Sequence, residues 1–196
     1  MNKNEIDNFK MLFVDILETT CQSRFNVKRF INYLEIQTDF FKAPASTRFH
    51  LAEAGGLLEH SLHVYKTLIT LAAIYAPEIP QDSLAICGLL HDICKTNFYK
   101  QEFKNVKTPN GWQEQLTYVV DDQFPIGHGE KSVIMLQQHM TLTKDEIMAI
   151  RWHMNGFDYA VKGGEQAYSN AVNKCKLLSL LEVSDLIASR LLEGDL

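Results

Sequence analysis

The chain has 196 residues, of which 46% are hydrophobic, so it is long enough to bury a full core as one domain. Its 19 basic and 24 acidic side chains give a net charge of −5, which argues against a general nucleic-acid-binding surface but leaves room for a small phosphate-binding pocket. The longest apolar stretches fall short of the roughly 18 residues of a membrane span, and the N-terminus is too polar for a signal peptide, so we expect a soluble cytoplasmic protein without membrane partners.

The cysteines give no sign of a metal-thiolate site. The chain contains four of them, scattered without any CxxC pair: Cys21, Cys87, Cys94 and Cys175. This spacing matches neither a zinc-thiolate site nor a disulfide framework. We therefore expect reduced cysteines in the core or near the surface.

Periodicity predicts two N-terminal helices within residues 1–45. Apolar residues recur at helical spacing over about 4–23 and again over about 27–41. Pro44 then interrupts the pattern. The glycine pair at 55–56 predicts a loop, because glycine permits backbone conformations that are closed to other residues.

Two central helices place polar side chains on apolar faces. The third helix, predicted over about 57–75, has His60 on its buried stripe, and the fourth, over about 82–95, carries the adjacent pair His91 and Asp92. An unpaired carboxylate in a core costs several kcal/mol, so Asp92 needs a partner. We favour a metal ion, and a buried His–Asp hydrogen bond that only organises the core is the alternative.

Residues 97–125 have a different period. Apolar and polar residues alternate over 112–120, and the Pro-Asn-Gly sequence at 109–111 is a turn signal. We therefore predict a β-hairpin inserted between helices. From its position, this hairpin could wall the active pocket, together with the Gly-His-Gly loop at 127–129, and select the substrate.

The C-terminal part predicts three more helices, each associated with an inward polar side chain. One follows the loop that holds His128 and runs to about residue 140, and another, over about 143–155, carries His153 in its last turn. The last, over about 166–192, has Asp185 in the middle of its apolar face.

A single inward His or Asp would be unremarkable, but several separate elements each supply one. The candidate metal ligands are His60, His91, Asp92, His128, His153 and Asp185. Imidazoles and carboxylates without thiolates suit Mn²⁺, Fe²⁺, Co²⁺, Ni²⁺ or Zn²⁺, and Mg²⁺ is a further candidate.

These ligands could hold one or two divalent ions per chain, with Asp92 short and central enough to bridge a pair. Two ions roughly 3.5–4 Å apart are a common device for phosphoester hydrolysis, because they clamp both the attacking and the leaving oxygen. Lys95 lies one helical turn beyond His91, so its ammonium could contact a phosphate oxygen. A favourable interaction with the helix dipole is the other explanation for Lys95.

The order of these residues resembles the HD-domain superfamily of metal-dependent phosphohydrolases, in which a spaced His, a His-Asp doublet and a late Asp hold a metal. The segments 55–61 (Gly-Gly-Leu-Leu-Glu-His-Ser) and 89–95 (Leu-Leu-His-Asp-Ile-Cys-Lys) look like those of HD phosphodiesterases and of the HD domain of a bacterial 3′–5′ exoribonuclease. The resemblance covers about 55–190. It implies an all-α HD-type helical bundle with a small β-hairpin insertion, a single domain over 1–196, and a metal at the bottom of a cleft between helices.

The resemblance also implies roles for single residues. A first ion would be bound by His60, His91, Asp92 and Asp185, and a second by His128 and His153, which resemble the extra ligands of the binuclear subgroup, with Asp92 as the bridge. The candidate catalytic residues are Asp92 and Lys95, the latter because its charge would offset that of the phosphoryl oxygens. Simpler HD nucleotidases have a catalytic Glu at the position of Lys95, so this lysine favours the phosphodiesterase-like or exonuclease-like branches. The sequence has no GYP-type signature, which argues against a cyclic-di-GMP phosphodiesterase of that subgroup.

We therefore predict a hydrolase, either a phosphomonoesterase or a phosphodiesterase, that cleaves a phosphoester of a nucleotide or another small phosphorylated metabolite. Two alternatives from other classes stay open. A di-iron oxygenase would use the same ligand set to activate O₂ and would release no phosphate. A non-catalytic ligand sensor would keep the HD scaffold without turnover.

Overall fold

The computed structural model describes residues 1–109 and 111–194. Its helices, in chain order, are α1 (Lys3–Thr20), α2 (Val27–Ile36), α3 (Gly56–Tyr75), α4 (Gln81–Leu90), α5 (His128–Gln137), α6 (Lys144–Trp152), α7 (Tyr159–Lys162), α8 (Ala167–Val172) and α9 (Lys176–Ile187). Short 3₁₀ turns at Ile93–Lys95 and Asn155–Phe157 and a π-helical turn at Ala188–Leu192 accompany them. The strands β1 (Tyr99–Thr108) and β2 (Gly111–Val120) form one antiparallel hairpin. The predicted all-α bundle with a small β-hairpin insertion is thus confirmed.

The two N-terminal helices form where the sequence predicts them. The Asn2 side chain caps α1 by accepting from the Glu5 N–H at 3.1 Å, and the Glu5 carboxylate accepts from the Asn2 N–H at 2.7 Å. The second helix, α2, ends about five residues earlier than predicted. The reason is packing: Phe40 and Phe41 both contact Phe13, at ring-centroid distances of 5.1 and 5.6 Å, whereas consecutive residues of a helix would point about 100° apart.

The helix α4 is surrounded by protein, since all of its residues after the first two are buried. Gly88 permits the close approach of α3, because a Cβ at this position would lie 2.7 Å from the Tyr65 Cα. The helix ends at Leu90, before the predicted end near residue 95, and Asp92 leaves the helical conformation (φ −102°, ψ 19°). His91 and Asp92 therefore lie in a turn, where both side chains can face one site instead of diverging by about 100°.

One hydrophobic core runs from α1 to the turn after α9. A largely buried polar network joins three parts of it. The Arg24 guanidinium donates to Asp82 at 2.8 Å and to Glu146 at 2.9 and 3.0 Å, and the Ser83 hydroxyl donates to Glu146 at 2.6 Å. This network links the α1–α2 connection to the starts of α4 and α6. A single domain over 1–196 stays a prediction, which the shared core supports.

The strand pair confirms the hairpin predicted within 97–125. Its register runs from Tyr99 opposite Val120 to Thr108 opposite Gly111. Asn110, the central residue of the predicted turn, lies outside the described residues.

The C-terminal region differs from the prediction of one long helix over 166–192. The structure divides this region into α8, α9 and the π-helical turn, so that prediction is wrong. Cys175 separates the two helices with an extended backbone (φ −125°, ψ 98°), and its sulfur caps α9 by accepting from the Leu178 N–H at 3.4 Å. Asp185 consequently lies near the C-terminal end of α9.

Two further expectations concern the whole chain. All four cysteines are buried and unpaired, as their spacing predicted. Within the described ranges, none of the helices combines the length and the apolar character needed to cross a membrane.

Candidate metal centre

Six polar side chains from separate parts of the chain meet in the interior. They are His60 from α3, His91 and Asp92 from the turn after α4, His128 from the start of α5, His153 directly after α6, and Asp185 from α9. Four of them are buried, whereas the side chains of Asp185 and His128 are 21% and 25% exposed. The site is therefore open to solvent on the side of Asp185 and His128.

Asp92 lies at the centre of this group. Its Oδ1 is 2.6 Å from His128 Nε2 and 3.3 Å from His153 Nε2. Its Oδ2 is 3.6 Å from the Nε2 atoms of both His60 and His91. The structure thus brings the predicted imidazoles around the predicted bridging carboxylate.

The three buried imidazoles are oriented by their Nδ1 atoms. In each ring Nδ1 lies beside an oxygen that only accepts, so Nδ1 carries the hydrogen. These oxygens are the Glu193 carboxylate for His60 at 3.0 Å, the Gly88 carbonyl for His91 at 3.2 Å and the Ile150 carbonyl for His153 at 2.7 Å. In the neutral ring each Nε2 has a lone pair, and within the described chain none of these three buried atoms has a hydrogen-bond partner.

These lone pairs face negatively charged oxygens. Besides the contacts to Asp92, the Nε2 of His60 is 3.3 Å from Asp185 Oδ1. Two acceptors that face each other at this distance repel unless a positive charge lies between them. A divalent cation meets that demand, because neutral imidazole nitrogens and carboxylate oxygens are the ligand types that transition metals take. The residues present therefore fit the metal that the sequence predicts.

Among the described residues, four overlapping sets of ligand atoms are compact enough to surround an ion. Within each set, one ligand atom per residue lies within 4.8 Å of the others. Three sets surround the central carboxylate: His60 with His91 and Asp185, His91 with Asp92 and His153, and Asp92 with Cys94 and His128. The fourth joins His60 to His50 and Glu193. Asp92 belongs to two of the four, which is the position expected of a bridging ligand.

Burial and charge set the ionisation of the site. Burial alone would lower the pKa of His60, but hydrogen bonds and charges from two carboxylates outweigh it and raise that pKa to about 9. Burial lowers the pKa of His91 to about 3. Burial would raise the pKa of Asp92, but Lys95 and the imidazoles hold it well below its usual range. At neutral pH and without a metal, Asp92 is thus a carboxylate and His91 a neutral imidazole, whereas His60 is protonated and has to release a proton to bind a cation.

His128 differs from the other imidazoles because its Nε2 already has a partner. Nε2 donates to Asp92 Oδ1 at 2.6 Å, and the two ring nitrogens lie 3.4 and 3.5 Å from the Cys94 sulfur. Burial would lower the pKa of His128, but Cys94 and Asp92 raise it to about 10. His128 can therefore bind a cation only by giving up this proton and this hydrogen bond. The sequence analysis did not identify Cys94 as a site residue.

Lys95 also contacts the central carboxylate. Its Nζ is 2.6 Å from Asp92 Oδ2, and its side chain is 14% exposed. Burial would lower the pKa of Lys95, but the Asp92 charge raises it above its usual range. The site thus carries a permanent positive charge beside its central carboxylate.

Glu193 is the main site residue that the sequence analysis missed. Its carboxylate is fully buried and accepts from His60 Nδ1 at 3.0 Å and from His63 Nδ1 at 2.9 Å, and the His50 Nε2 is 4.0 Å away. A carboxylate behind a metal-binding imidazole fixes its tautomer and orientation. No periodic signal could mark Glu193, because it follows the π-helical turn in a stretch whose charged residues look solvent-facing.

Comparison with known proteins relates these residues to one family. A family model described as "HD domain" matches residues 57–189. A dihydroneopterin 2′,3′-cyclic phosphate phosphodiesterase from Methanocaldococcus jannaschii is 36% identical over 66 residues, a match that covers 31% of this chain and 26% of that protein. The chain therefore aligns with about a quarter of that relative's length. No solved structure gives a significant match.

Proposed function

The chain belongs to the HD domain family of metal-dependent phosphohydrolases, and on that premise we propose that it is a phosphodiesterase for a small, nucleotide-type substrate. The family match over 57–189 includes all six candidate ligands. The Methanocaldococcus relative is named for the hydrolysis of a 2′,3′-cyclic phosphate, which favours a diester over a monoester substrate for this chain.

One observation carries the proposal. Three buried Nε2 atoms, on His60, His91 and His153, lie 3.3–3.6 Å from carboxylate oxygens and make no hydrogen bond among the described residues. A buried His–Asp pair that only organised the core would instead show an N–H donated to the carboxylate at roughly 2.7–2.9 Å. The arrangement therefore supports a bound cation over the purely structural alternative.

We assign the ligands to two metal positions. The first is made of His60, His91, Asp92 and Asp185, and the second of His153, His128 and the bridging Asp92. Bound divalent ions would make a water molecule more acidic and offset charge on the phosphoryl oxygens. To hold an ion in the second position, His128 would give up its Nε2 proton and its hydrogen bond to Asp92.

We assign Lys95 to charge stabilisation in the transition state. Its ammonium is held in place by Asp92, 2.6 Å away, and its side chain is 14% exposed. A phosphoryl oxygen that enters beside Asp92 would meet this fixed positive charge without reorganisation of the site. Asp185 and His128, the other partly exposed side chains, mark the side from which the substrate enters.

The first test is the metal content of the protein. Elemental analysis of freshly purified protein should find one or two divalent ions per chain, and Asp92→Ala should lose both the ions and the activity. Asp7→Ala removes an exposed carboxylate on α1 and should change neither. If Asp92→Ala keeps its ions, the ligand assignment is wrong.

The second test is hydrolysis. The protein is assayed with Mn²⁺, Fe²⁺, Co²⁺ and Ni²⁺ against nucleotides, 2′,3′-cyclic phosphates, cyclic dinucleotides, short oligonucleotides and generic phosphodiesters. Turnover of a diester with little release of phosphate from monoesters is the expected result. A fully metal-loaded protein that cleaves none of them would refute the proposal, and oxygen uptake without phosphate release would favour the oxygenase alternative.

A further inference from the structure

The hairpin β1–β2 is inserted between two residues of the metal centre. Lys95 precedes it and His128 follows it, and each places a nitrogen 2.6 Å from an oxygen of Asp92. The chain therefore leaves the site, forms the hairpin and returns to the site. The first strand begins four residues after Lys95, and the second ends eight residues before His128.

The base of the hairpin is held firmly against the helices. Asn97 has a positive φ of 51°, and its N–H donates to the Asp39 carboxylate at 2.6 Å while its side-chain oxygen accepts from the Asp39 N–H at 3.1 Å. Where the two strands meet at the base, the Asp121 N–H, just after β2, donates to the carbonyl of Phe98, just before β1, at 2.8 Å. The Lys131 ammonium lies 4.9 Å from the centre of the Phe98 ring. These contacts fix the direction in which the hairpin leaves the site.

The two faces of the hairpin differ in composition. The strand register places most of the large apolar side chains on one face, which we call the aromatic face: Tyr99, Phe103, Trp112, Leu116, Tyr118 and Val120. The opposite face carries mainly Lys, Glu, Gln and Thr. The side chains of Phe103 and Trp112 are 68% and 71% exposed, although an isolated two-stranded hairpin gains nothing by showing them to water.

The aromatic face begins at the metal centre. Tyr99 lies at its base, and its ring contacts that of Tyr118 edge-on, at a centroid distance of 6.5 Å. Tyr99 is half-buried and follows Lys95, whose ammonium contacts Asp92, by four residues. The exposed rings of Phe103 and Trp112 therefore lie on the face of the hairpin that begins at Tyr99.

The spacing along this face matches the size of a nucleoside. Residues on one face of a strand recur every two positions, or about 7 Å. Tyr118, opposite Gln101, therefore lies about 7 Å along the hairpin from the row of Tyr99, and Phe103, opposite Leu116, about 13 Å along it. The next row pairs Asn105 with Glu114, whose carboxylate would repel a further phosphate. The part of the face next to the metal centre thus offers stacking positions for one or two bases, and the Asn105–Glu114 row separates it from Trp112.

We propose that the aromatic face binds the planar base of a short nucleoside phosphodiester while its scissile phosphate lies at the metal centre. This inference rests on the proposed phosphodiesterase function and adds the surface that binds the base of the substrate. The base would stack on Tyr118 and Phe103, and stacking does not depend on the hydrogen-bonding groups of the base. The face therefore distinguishes substrates that have an aromatic base from substrates that lack one.

The test uses two diesters with the same reacting group. Adenosine 2′,3′-cyclic phosphate carries a base, and methyl riboside 2′,3′-cyclic phosphate does not. Phe103→Ser should raise KM for the adenosine compound by roughly 5- to 100-fold, the range that one stacked base contributes, and leave the kinetics of the methyl riboside unchanged. Val106→Ser, which removes an apolar side chain from the opposite face of the same hairpin, should alter neither. Helical circular dichroism checks that both variants fold.

Direct binding separates this proposal from the proposed function. Titration of each diester into the wild-type protein and Phe103→Ser, followed by tryptophan fluorescence, needs no turnover. If neither diester is hydrolysed but the adenosine compound binds and Phe103→Ser weakens that binding, the aromatic face is confirmed and the proposed chemistry is refuted. If both diesters are hydrolysed and Phe103→Ser leaves the preference between them unchanged, the face does not bind the base. If Phe103→Ser instead abolishes a dimer seen by analytical ultracentrifugation without changing that preference, the face pairs with a second copy of the chain and the proposal is wrong.

Discussion

Replacing Glu193 should weaken metal binding although Glu193 is not a proposed ligand. Its buried carboxylate accepts from His60 Nδ1 at 3.0 Å and from His63 Nδ1 at 2.9 Å. Without this acceptor, the His60 ring can rotate or move its hydrogen to Nε2, the atom that faces Asp92 and Asp185. Removing such a carboxylate behind a metal-binding imidazole typically costs roughly 10- to 100-fold in metal affinity, so we expect that loss in Glu193→Ala.

The same substitution should also reduce the stability of the metal-free protein. Burial would raise the pKa of Glu193, but hydrogen bonds from His60 and His63 lower it to about 2. Against a value of about 4.3 in the unfolded chain, this difference corresponds to roughly 3 kcal/mol at neutral pH. Because the folded pKa is the lower one, the contribution is complete above about pH 4.3 and disappears as the pH falls towards 2. The difference in unfolding free energy between wild type and Glu193→Ala should therefore shrink in acid.

Competition with a fluorescent chelator measures the metal affinity, and ¹⁵N NMR of the histidine rings reports the His60 tautomer. Glu193→Gln keeps one acceptor oxygen and should lose less affinity than Glu193→Ala. Glu182→Gln is the matched control, because Glu182 is a half-buried carboxyl on α9 that contacts Tyr168 instead of the imidazoles. Wild-type metal affinity in Glu193→Ala, with the His60 tautomer unchanged, would refute the reasoning.

Lys95→Met should lower kcat by about 10²- to 10³-fold and leave the number of bound ions unchanged, because it removes a charge that acts on the phosphoryl oxygens; steady-state kinetics and elemental analysis measure the two effects. Arg24→Met should destabilise the protein by about 3–5 kcal/mol, since it leaves the buried Glu146 carboxylate without its cation, and an unchanged urea midpoint would contradict this. Gly88→Ala should cost about 1–3 kcal/mol in thermal unfolding, because the new Cβ would lie 2.7 Å from the Tyr65 Cα and push α3 away from α4.

Sequence periodicity predicts the elements that bury one face, because packing against a core imposes a fixed repeat on the apolar residues. The N-terminal helices, α3 and the hairpin are confirmed on this basis. Helix ends are less predictable, since they depend on contacts between distant residues. The early end of α2 allows Phe40 and Phe41 to pack together on Phe13, and the sulfur cap of Cys175 divides the predicted last helix.

Most of the candidate ligands can be recognised from sequence because they interrupt an apolar pattern, whereas His128 stands between two glycines in a loop. The structure brings their side chains together, and their roles as ligands remain proposals. Glu193 and Cys94 carry no such signal. A cysteine in the buried run after α4 looks like an ordinary core residue, and a glutamate after the last helix looks solvated. They join the site only through contacts in space, Cys94 with His128 and Glu193 with His60.

The formal charge of the centre connects the number of ions to the kind of substrate. Once His60 and His128 have released their protons to bind ions, the carboxylates of Asp92, Asp185 and Glu193 together with the Lys95 ammonium leave a charge of −2. One divalent ion would make the centre neutral, whereas two would leave +2 in a largely buried site, where such a charge is costly. An anionic phosphodiester offsets that excess, so the second ion and the substrate should each raise the affinity of the other. A neutral organic substrate of an oxygenase would gain nothing from this excess, and the charge balance therefore favours phosphoester chemistry.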